Sequence, residues 1–563
     1  MRLQGSQRIL LALLAVLVHE SRLVAPRTLS DGAVRALQAA SLPRGWELRE
    51  ALAVLDPDLY ANGPGPDRPF LDLPGLASPC WRHGDEGSAD DDEGNRSGVR
   101  CLPAAMILGG FQSGSQSLWA AVYKHPLIVK TDVSRYHFWA EHDKKSAGLF
   151  NGLKAGADKI MDWQRLAPGA AGGGGGGSGR AGEAGSREDE AEDGEEEDAE
   201  PADEAWLRRQ PKMMIDGSAS TFAFYYAPGV RTHRTFLTTM QPCWKGCHDD
   251  HKEGAERDAC LDKCFSTAQA ADRQVAKKIG IPYNDMSLPL VLSAVYGKRP
   301  PRMIVMLRNP VERLYSAFWR YSHYNTKYGN TVEGFAAFVD EQLSALKRCQ
   351  ARAAPDAATS CLLHFETWGL QEERVFFHAD QLLRGVYSVY LDAWFKYFDR
   401  RQFLVIKSED YFADPLPTYR RALSFLGLDP RAIGLKAEVE RLSKLAASGD
   451  AAALAAPAAA HKKKKDVTAD GQDKLWADIK HDLLNDPEQR FAVNRAAALA
   501  ARRGSSGGIS DADADAAAAA GGGGQARPPM PAAVRKQLVD FYEPYNRKLA
   551  ELLGDPEFIR GWN

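Results

Sequence analysis

Arg308 and Ser316 lie in a segment whose residue types suit anion binding, Met303-Ile-Val-Met-Leu-Arg-Asn-Pro-Val-Glu-Arg-Leu-Tyr-Ser316. A guanidinium presents a planar fork of donors matched to phosphate, and a hydroxyl adds one directional donor. A second candidate is Leu108-Gly-Gly-Phe-Gln-Ser-Gly-Ser-Gln-Ser-Leu118. Glycines there let backbone N–H groups close around an anion at a helix N-terminus, whose dipole favours negative charge. Each segment also has a plainer reading. An arginine at the end of a core strand pairs with a carboxylate, and a Gly-rich turn serves tight packing.

These residues need elements to hold them. Positions 303–307 form an unbroken apolar run and predict a buried strand ending at Arg308. Asn309-Pro310 breaks it, and 311–321 carries apolar residues at helical spacing behind the proline. Residues 104–108 predict another short strand, with a helix over 115–124 after the Gly-rich turn. A further strand at 403–406 runs into Lys407-Ser-Glu-Asp-Tyr411, then a helix around 416–426, and 533–553 reads as helical. Met213-Met-Ile-Asp-Gly-Ser-Ala-Ser-Thr221 reads as an apolar strand ending in a hydroxyl-rich turn. Asp216 and Ser218 suit a cap or a turn there. Strand–helix alternation predicts an α/β fold with a central parallel sheet and crossover helices.

Charge is informative once divided. The chain of 563 residues has a net charge of −3. Segment 166–205 alone carries 13 acidic and 2 basic side chains, so the remainder is net +8, which suits polyanionic ligands. That segment and 446–526 are low in complexity and too poor in apolar residues to offset ordering entropy, so both read as disordered insertions. The lysine run 462–465 reads as solvated, with contact to an acidic glycan as the other reading. Residues 23–95 read as a stem or lead-in to a domain over 96–563. At the N-terminus, Arg2 and Arg8 precede an apolar run over 9–18. Ten residues fall short of the about 20 a spanning helix needs. The pattern of residues 1–22 fits a secretory signal or a minimal signal-anchor, with an amphipathic targeting or cytosolic helix as the alternative.

Eight cysteines, an even number, agree with an oxidising compartment. Cys243, Cys247, Cys260 and Cys264 form two C-x3-C pairs separated by twelve residues. On antiparallel helices such pairs share one face, so 243 with 264 and 247 with 260 staple a hairpin. Zinc is the competing reading, with His248 and His251 nearby, although structural zinc sites more often use C-x2-C turns.

The segment L-R-N-P-V-E-R-L-Y-S closely resembles the 3′-phosphate-binding segment of membrane-associated carbohydrate sulfotransferases. It is most similar to the chondroitin N-acetylgalactosamine-4-sulfate 6-O-sulfotransferase group. Gly385-Val-Tyr-Ser-Val-Tyr-Leu-Asp-Ala-Trp394, the 213–221 segment and the C-terminal helix resemble further family segments. The resemblance implies a P-loop-like sulfotransferase fold in which Arg308 and Ser316 hold the 3′-phosphate of PAPS (3′-phosphoadenosine 5′-phosphosulfate). It implies that Gly109, Gly110, Phe111, Gln112, Ser113, Gly114, Ser115, Gln116 and Ser117 form the 5′-phosphosulfate loop. Cys349 and Cys361 bracket a short Ala-rich loop and resemble a family loop disulfide, which leaves Cys80 and Cys101 as the remaining pair.

Two departures from the family pattern bear on chemistry. The loop pattern, about G-x-x-K-x-G-T-T-x-L, has Gln112 where the lysine stands, and Ser115 and Gln116 where the threonines stand. In the downstream K-E-x-H-F-F pattern, Ser134-Arg-Tyr-His-Phe-Trp139 places Arg135 at the glutamate that serves as general base. His137, whose imidazole titrates near neutrality, and Glu141 become the candidate bases. Beside them stands the plain role of His137 as a packed residue. The implied activity is sulfuryl transfer from PAPS to a hydroxyl of a polysaccharide or glycoprotein glycan. No metal and no nucleic acid are required, and the place is the Golgi lumen, by a type II anchor or as a secreted protein. The second reading is a relative that binds PAP(S) or sulfated glycans without turnover. A P-loop kinase is disfavoured because no G-x-x-x-x-G-K-[ST] stands at the turn.

Overall fold

Among the described residues four parallel strands form the central sheet, in the order β4-β3-β5-β6. They are β3 (Ala105–Gly109), β4 (Ile215–Asp216), β5 (Arg302–Leu307) and β6 (Phe403–Lys407), preceded by an antiparallel pair, β1 (Cys80–Arg82) and β2 (Val99–Cys101). The computed structural model describes residues 44–82, 99–129, 139, 210–224, 231–352, 356–376, 381–429 and 528–562. All of them belong to the unit Arg44–Asn563. Residues 1–22, the segments 166–205 and 446–526, and the candidates Arg135, His137 and Glu141 lie outside the described residues.

Helix α1 (Ser115–Tyr123) leaves β3, and α2 (Arg234–Asp250) with α3 (Ala255–Ile279) forms a hairpin. Helix α4 (Leu288–Tyr296) leads into β5 and α5 (Pro310–Arg320) leaves it. Helix α6 (Tyr387–Tyr397) precedes β6, while α7 (Ser408–Ala413) and α8 (Pro415–Leu426) follow it, and α9 (Ala532–Leu553) comes last. Elements expected from sequence thus form within a residue or two of the expected bounds. The strand expected at 213–216 is shorter: only Ile215–Asp216 join the ladder, while Met213 makes an isolated bridge to Ile128.

Strand β5 explains its own sequence. It is interior, with β3 on one side and β6 on the other, and an interior parallel strand is covered on both faces. Met303, Val305 and Leu307 enter the core shared with α4, α5, α6 and α9. Ile304 and Met306 enter the opposite core with Leu118, Val122, Ala422 and Leu423 of α1 and α8. The alternation is the period of two that a strand imposes. Residues 44–82, placed in the lead-in by sequence, bury Leu48, Leu52, Leu55, Leu59 and Trp81 in the first core. The packed region therefore reaches back to Arg44.

All four disulfides pair as expected: Cys80–Cys101, Cys243–Cys264, Cys247–Cys260 and Cys349–Cys361. The sulfurs of Cys243, Cys247 and Cys264 do cluster closely enough for a metal, but each is spent in a bridge and offers no thiolate to zinc. The hairpin they staple has its own small core of Phe236, Leu237, Met240, Leu261 and Phe265. A Cys247→Ser/Cys260→Ser double variant reopens a loop of sequence separation 13. It is expected to lose about 3 kcal/mol, read as a lower denaturant midpoint. Among the described residues no helix is long and apolar enough to cross a membrane.

Candidate donor-nucleotide site

The site is built where β3 and β5 end, at the carboxyl edge of the sheet, the usual place for ligands in open α/β folds. At the end of β3 the chain turns on Gly109, with φ +106; a Cβ there would lie 2.0 Å from the Ala219 carbonyl oxygen. Gly110 N–H then donates to the Met306 carbonyl at 3.0 Å, drawing the loop over β5. Gln112 takes φ +58, the one non-glycine residue at positive φ among the described residues. Gly114, at φ +80, is the N-cap of α1 and no side chain caps the helix. The first turn therefore offers N–H groups and the positive end of a dipole to an anion.

Hydroxyls tighten the loop from within and from outside. Ser115 Oγ donates to the Gly110 carbonyl at 3.3 Å and Ser113 Oγ to the Phe111 carbonyl at 3.3 Å. From α7, Ser408 Oγ donates to the Ser113 carbonyl at 2.7 Å, and the Ser117 and Tyr411 hydroxyls lie 3.0 Å apart.

Arg308 reaches the same loop from the end of β5. Its Nη1 donates to the Gln112 carbonyl at 3.0 Å across 196 residues of sequence, and the side chain is 5% exposed. Its guanidinium faces the Phe412 ring at 6.0 Å, and Tyr387 holds the Arg308 carbonyl at 2.8 Å. Ser316 is buried on α5, whose start is fixed by Asn309 accepting from Val311 N–H at 3.0 Å, with Pro310 at the first turn. Asn309 N–H donates to Glu409 Oε1 at 2.8 Å, and burial raises the Glu409 carboxyl above the usual range. The Asn309 N–H bond and the nearby Arg308 charge pull that carboxyl partly back down. The end of the chain closes this edge: Asn309 Nδ2 donates to the Gly561 carbonyl at 3.2 Å and Lys407 Nζ to the Arg560 carbonyl at 2.8 Å.

The structure thus brings the 109–117 loop and Arg308 together and sets Ser316 on the next helix. Of the downstream aromatic segment only Trp139 is described, buried 6.4 Å from the Tyr296 ring. Sequence reasoning missed Arg384, in the turn Leu383–Gly385, whose guanidinium lies 4.5 Å from the Phe111 ring and donates to the Ala223 carbonyl at 3.2 Å. Its only sequence signal was its place directly before the Gly385–Trp394 segment.

Asp216 takes the turn role: its Oδ1 accepts from Ser218 N–H at 3.0 Å and from Ser218 Oγ at 2.6 Å. Burial pushes its carboxyl up to about 6, against a partial pull downward from those two bonds. The folded state then binds the proton that the unfolded chain releases near 3.8, so this group's contribution is present below pH 4 and lost as pH rises through about 6. Asp216→Asn is expected to flatten that slope, on the order of 3 kcal/mol in all, in urea melts run across pH 4–7.

Residues 286–492 match the family model described as Sulfotransferase domain. Carbohydrate sulfotransferase 15 of Homo sapiens is 32% identical over 129 residues, and that of Mus musculus 30% over 129 residues. Each alignment covers 23% of this chain and 20% of the relative, so the match spans about a fifth of the relatives' length. A crystal structure of a sulfotransferase from Alicyclobacillus acidocaldarius aligns over 81% of this chain and 96% of its own, with 11% identity and a TM-score of 0.31. The parallel sheet with flanking helices is the sulfotransferase fold, and within it residues 286–492 are similar to a sulfotransferase domain and, over 129 residues, to the carbohydrate enzymes.

Proposed function

We propose that this sulfotransferase-domain chain takes PAPS as donor and moves its sulfuryl group to a hydroxyl of a polysaccharide or glycoprotein glycan. The observation that carries the reading is the Arg308 guanidinium held against the 109–117 loop at the sheet's carboxyl edge. In this assignment Arg308 and Ser316 bind the 3′-phosphate, and the loop N–H groups from Gly109 to Ser117 bind the 5′-phosphosulfate. The reaction is an in-line displacement: the acceptor oxygen bonds to sulfur as the bond from sulfur to the bridging oxygen breaks. The electron pair stays on the departing 5′-phosphate, and the acceptor proton passes to a base. His137 or Glu141 serves as that base, and the Gln112 side chain gives the bridging oxygen a neutral donor in place of a charged one. Positioning and fixed dipoles supply most of the rate.

Four disulfides and the basic, apolar N-terminal run favour a lumenal Golgi enzyme, held at the membrane by the first 22 residues or secreted. The segments 166–205 and 446–526 are then insertions in one domain. Absence of a loop lysine favours a second reading, a PAP(S) or sulfated-glycan binder without turnover. Radiolabelled PAPS offered with a panel of polysaccharides separates the two. Label transfer that His137→Ala abolishes supports the enzyme, and tight nucleotide binding with no transfer supports the binder.

A further inference from the structure

The loop from Gly109 to Ser117 has no cationic side chain of its own, though a bound phosphosulfate would put two anionic groups on it. Backbone N–H groups and hydroxyls donate hydrogen bonds but bring no net charge. Arg308 touches the loop at the Gln112 carbonyl, on the side assigned to the 3′-phosphate. A second guanidinium meets the loop elsewhere. Arg384 sits 4.5 Å from the Phe111 ring centroid, is 5% exposed, and is fixed through Nη1 to the Ala223 carbonyl at 3.2 Å.

Its placement is dictated by the turn that carries it. Leu383 is fully buried, and Gly385 packs so closely on Tyr542 that a Cβ would come 2.7 Å from its ring. Tyr542 in turn donates to the Leu382 carbonyl at 2.7 Å. Three residues on, Tyr387 holds the Arg308 carbonyl at 2.8 Å. The turn and the first residue of α6 thus reach both halves of the site, presenting a cation to Phe111 and a hydroxyl to the backbone of Arg308. A guanidinium keeps its charge at any working pH and, in a water-poor setting, acts over several ångströms with little screening.

We propose that Arg384 supplies the positive charge that the loop's own side chains lack, and so favours the anionic 5′ end of the donor nucleotide. This rests on the reading of the site as a PAPS site. Arg384 is a positioning residue, acting on the loop across the Phe111 ring. During transfer it offsets the electron pair left on the bridging oxygen, while the acceptor's proton still goes to the base.

The test is calorimetry of the full chain with three nucleotides: adenosine 3′,5′-bisphosphate, adenosine 5′-monophosphate and adenosine 3′-monophosphate. Arg384→Met keeps an apolar stem on Phe111 but removes the charge, and Arg384→Lys restores a charge. The expected result is a loss of about 10- to 30-fold with Arg384→Met for the two ligands bearing a 5′-phosphate, none for the 3′-monophosphate, and partial recovery with Arg384→Lys. Adding Gln112→Lys to Arg384→Met places a cation on the loop itself and is expected to recover most of the loss. A merely structural role predicts equal losses for all three nucleotides and no rescue by Gln112→Lys, and that pattern overturns the proposal. Unchanged binding in Arg384→Met overturns it while leaving the PAPS reading intact. If the unaltered chain binds none of the three, the PAPS reading falls and Arg384's role with it.

Discussion

Arg308→Ala is expected to weaken binding of adenosine 3′,5′-bisphosphate by about 100-fold or more. The guanidinium is 5% exposed and fixed from two sides, by the Gln112 carbonyl and the Phe412 face, so it loses little freedom on meeting a phosphate. Truncating one member of a buried, hydrogen-bonded charge pair costs about 2–5 kcal/mol, which brackets that factor. The loss should vanish for a nucleotide without the 3′-phosphate. Titrating both ligands against the variant and the unaltered chain is the check. Equal affinities for the bisphosphate in the two proteins would remove the basis of the nucleotide site. Arg308→Lys is expected to recover only part, because an ammonium cannot reproduce the fork.

Gly109→Ala is expected to have the larger effect on the fold. Two penalties coincide there: a backbone at φ +106, which a side chain disfavours, and a Cβ only 2.0 Å from the Ala219 carbonyl oxygen. Neither neighbour yields easily, since one is the end of β3 and the other the backbone behind Asp216 and Ser218. Together they are expected to cost about 3 kcal/mol or more, seen as a fall in thermal midpoint together with loss of nucleotide binding. Gly75 is the control: its φ is +75 but nothing lies within 4 Å of an added Cβ, so alanine there carries the backbone penalty alone. Matching midpoints for the two variants would mean that the Ala219 contact has no consequence.

Local pattern made much of this architecture legible. The five apolar side chains before Arg308 announced β5 because an interior parallel strand needs apolar residues on both faces. The paired C-x3-C spacing announced the hairpin, because four residues is one helical turn. Strand β4 was overstated because Met213, though buried in the sheet's core, makes only an isolated bridge, and Met214 is apolar for another reason. Met214 packs with Leu76, Cys80 and Cys101 beneath the β1–β2 pair, and its N–H goes to Ser78 Oγ. The candidate site was legible in its two halves and illegible in its bracing. Nothing near Ser408 tells that its hydroxyl holds the Ser113 carbonyl 295 residues away. Arg384 escaped notice for the same reason, since its partners Phe111 and Ala223 come from distant strand ends. The left-handed backbone of Gln112 was equally hidden, because glutamine carries no bias toward it.

The bond from Asn309 to the Gly561 carbonyl has a consequence for biosynthesis. Asn309 positions the helix carrying Ser316, yet its side-chain amide waits for an acceptor translated 252 residues later. A ribosome adding about 5–20 residues per second needs roughly 10–50 s to cover that interval. When Asn309 emerges, β3, β4 and β5 have been made, but β6 and the Gly561 acceptor have not. The bond that braces the start of α5 is therefore a late contact, made only once Gly561 has been added.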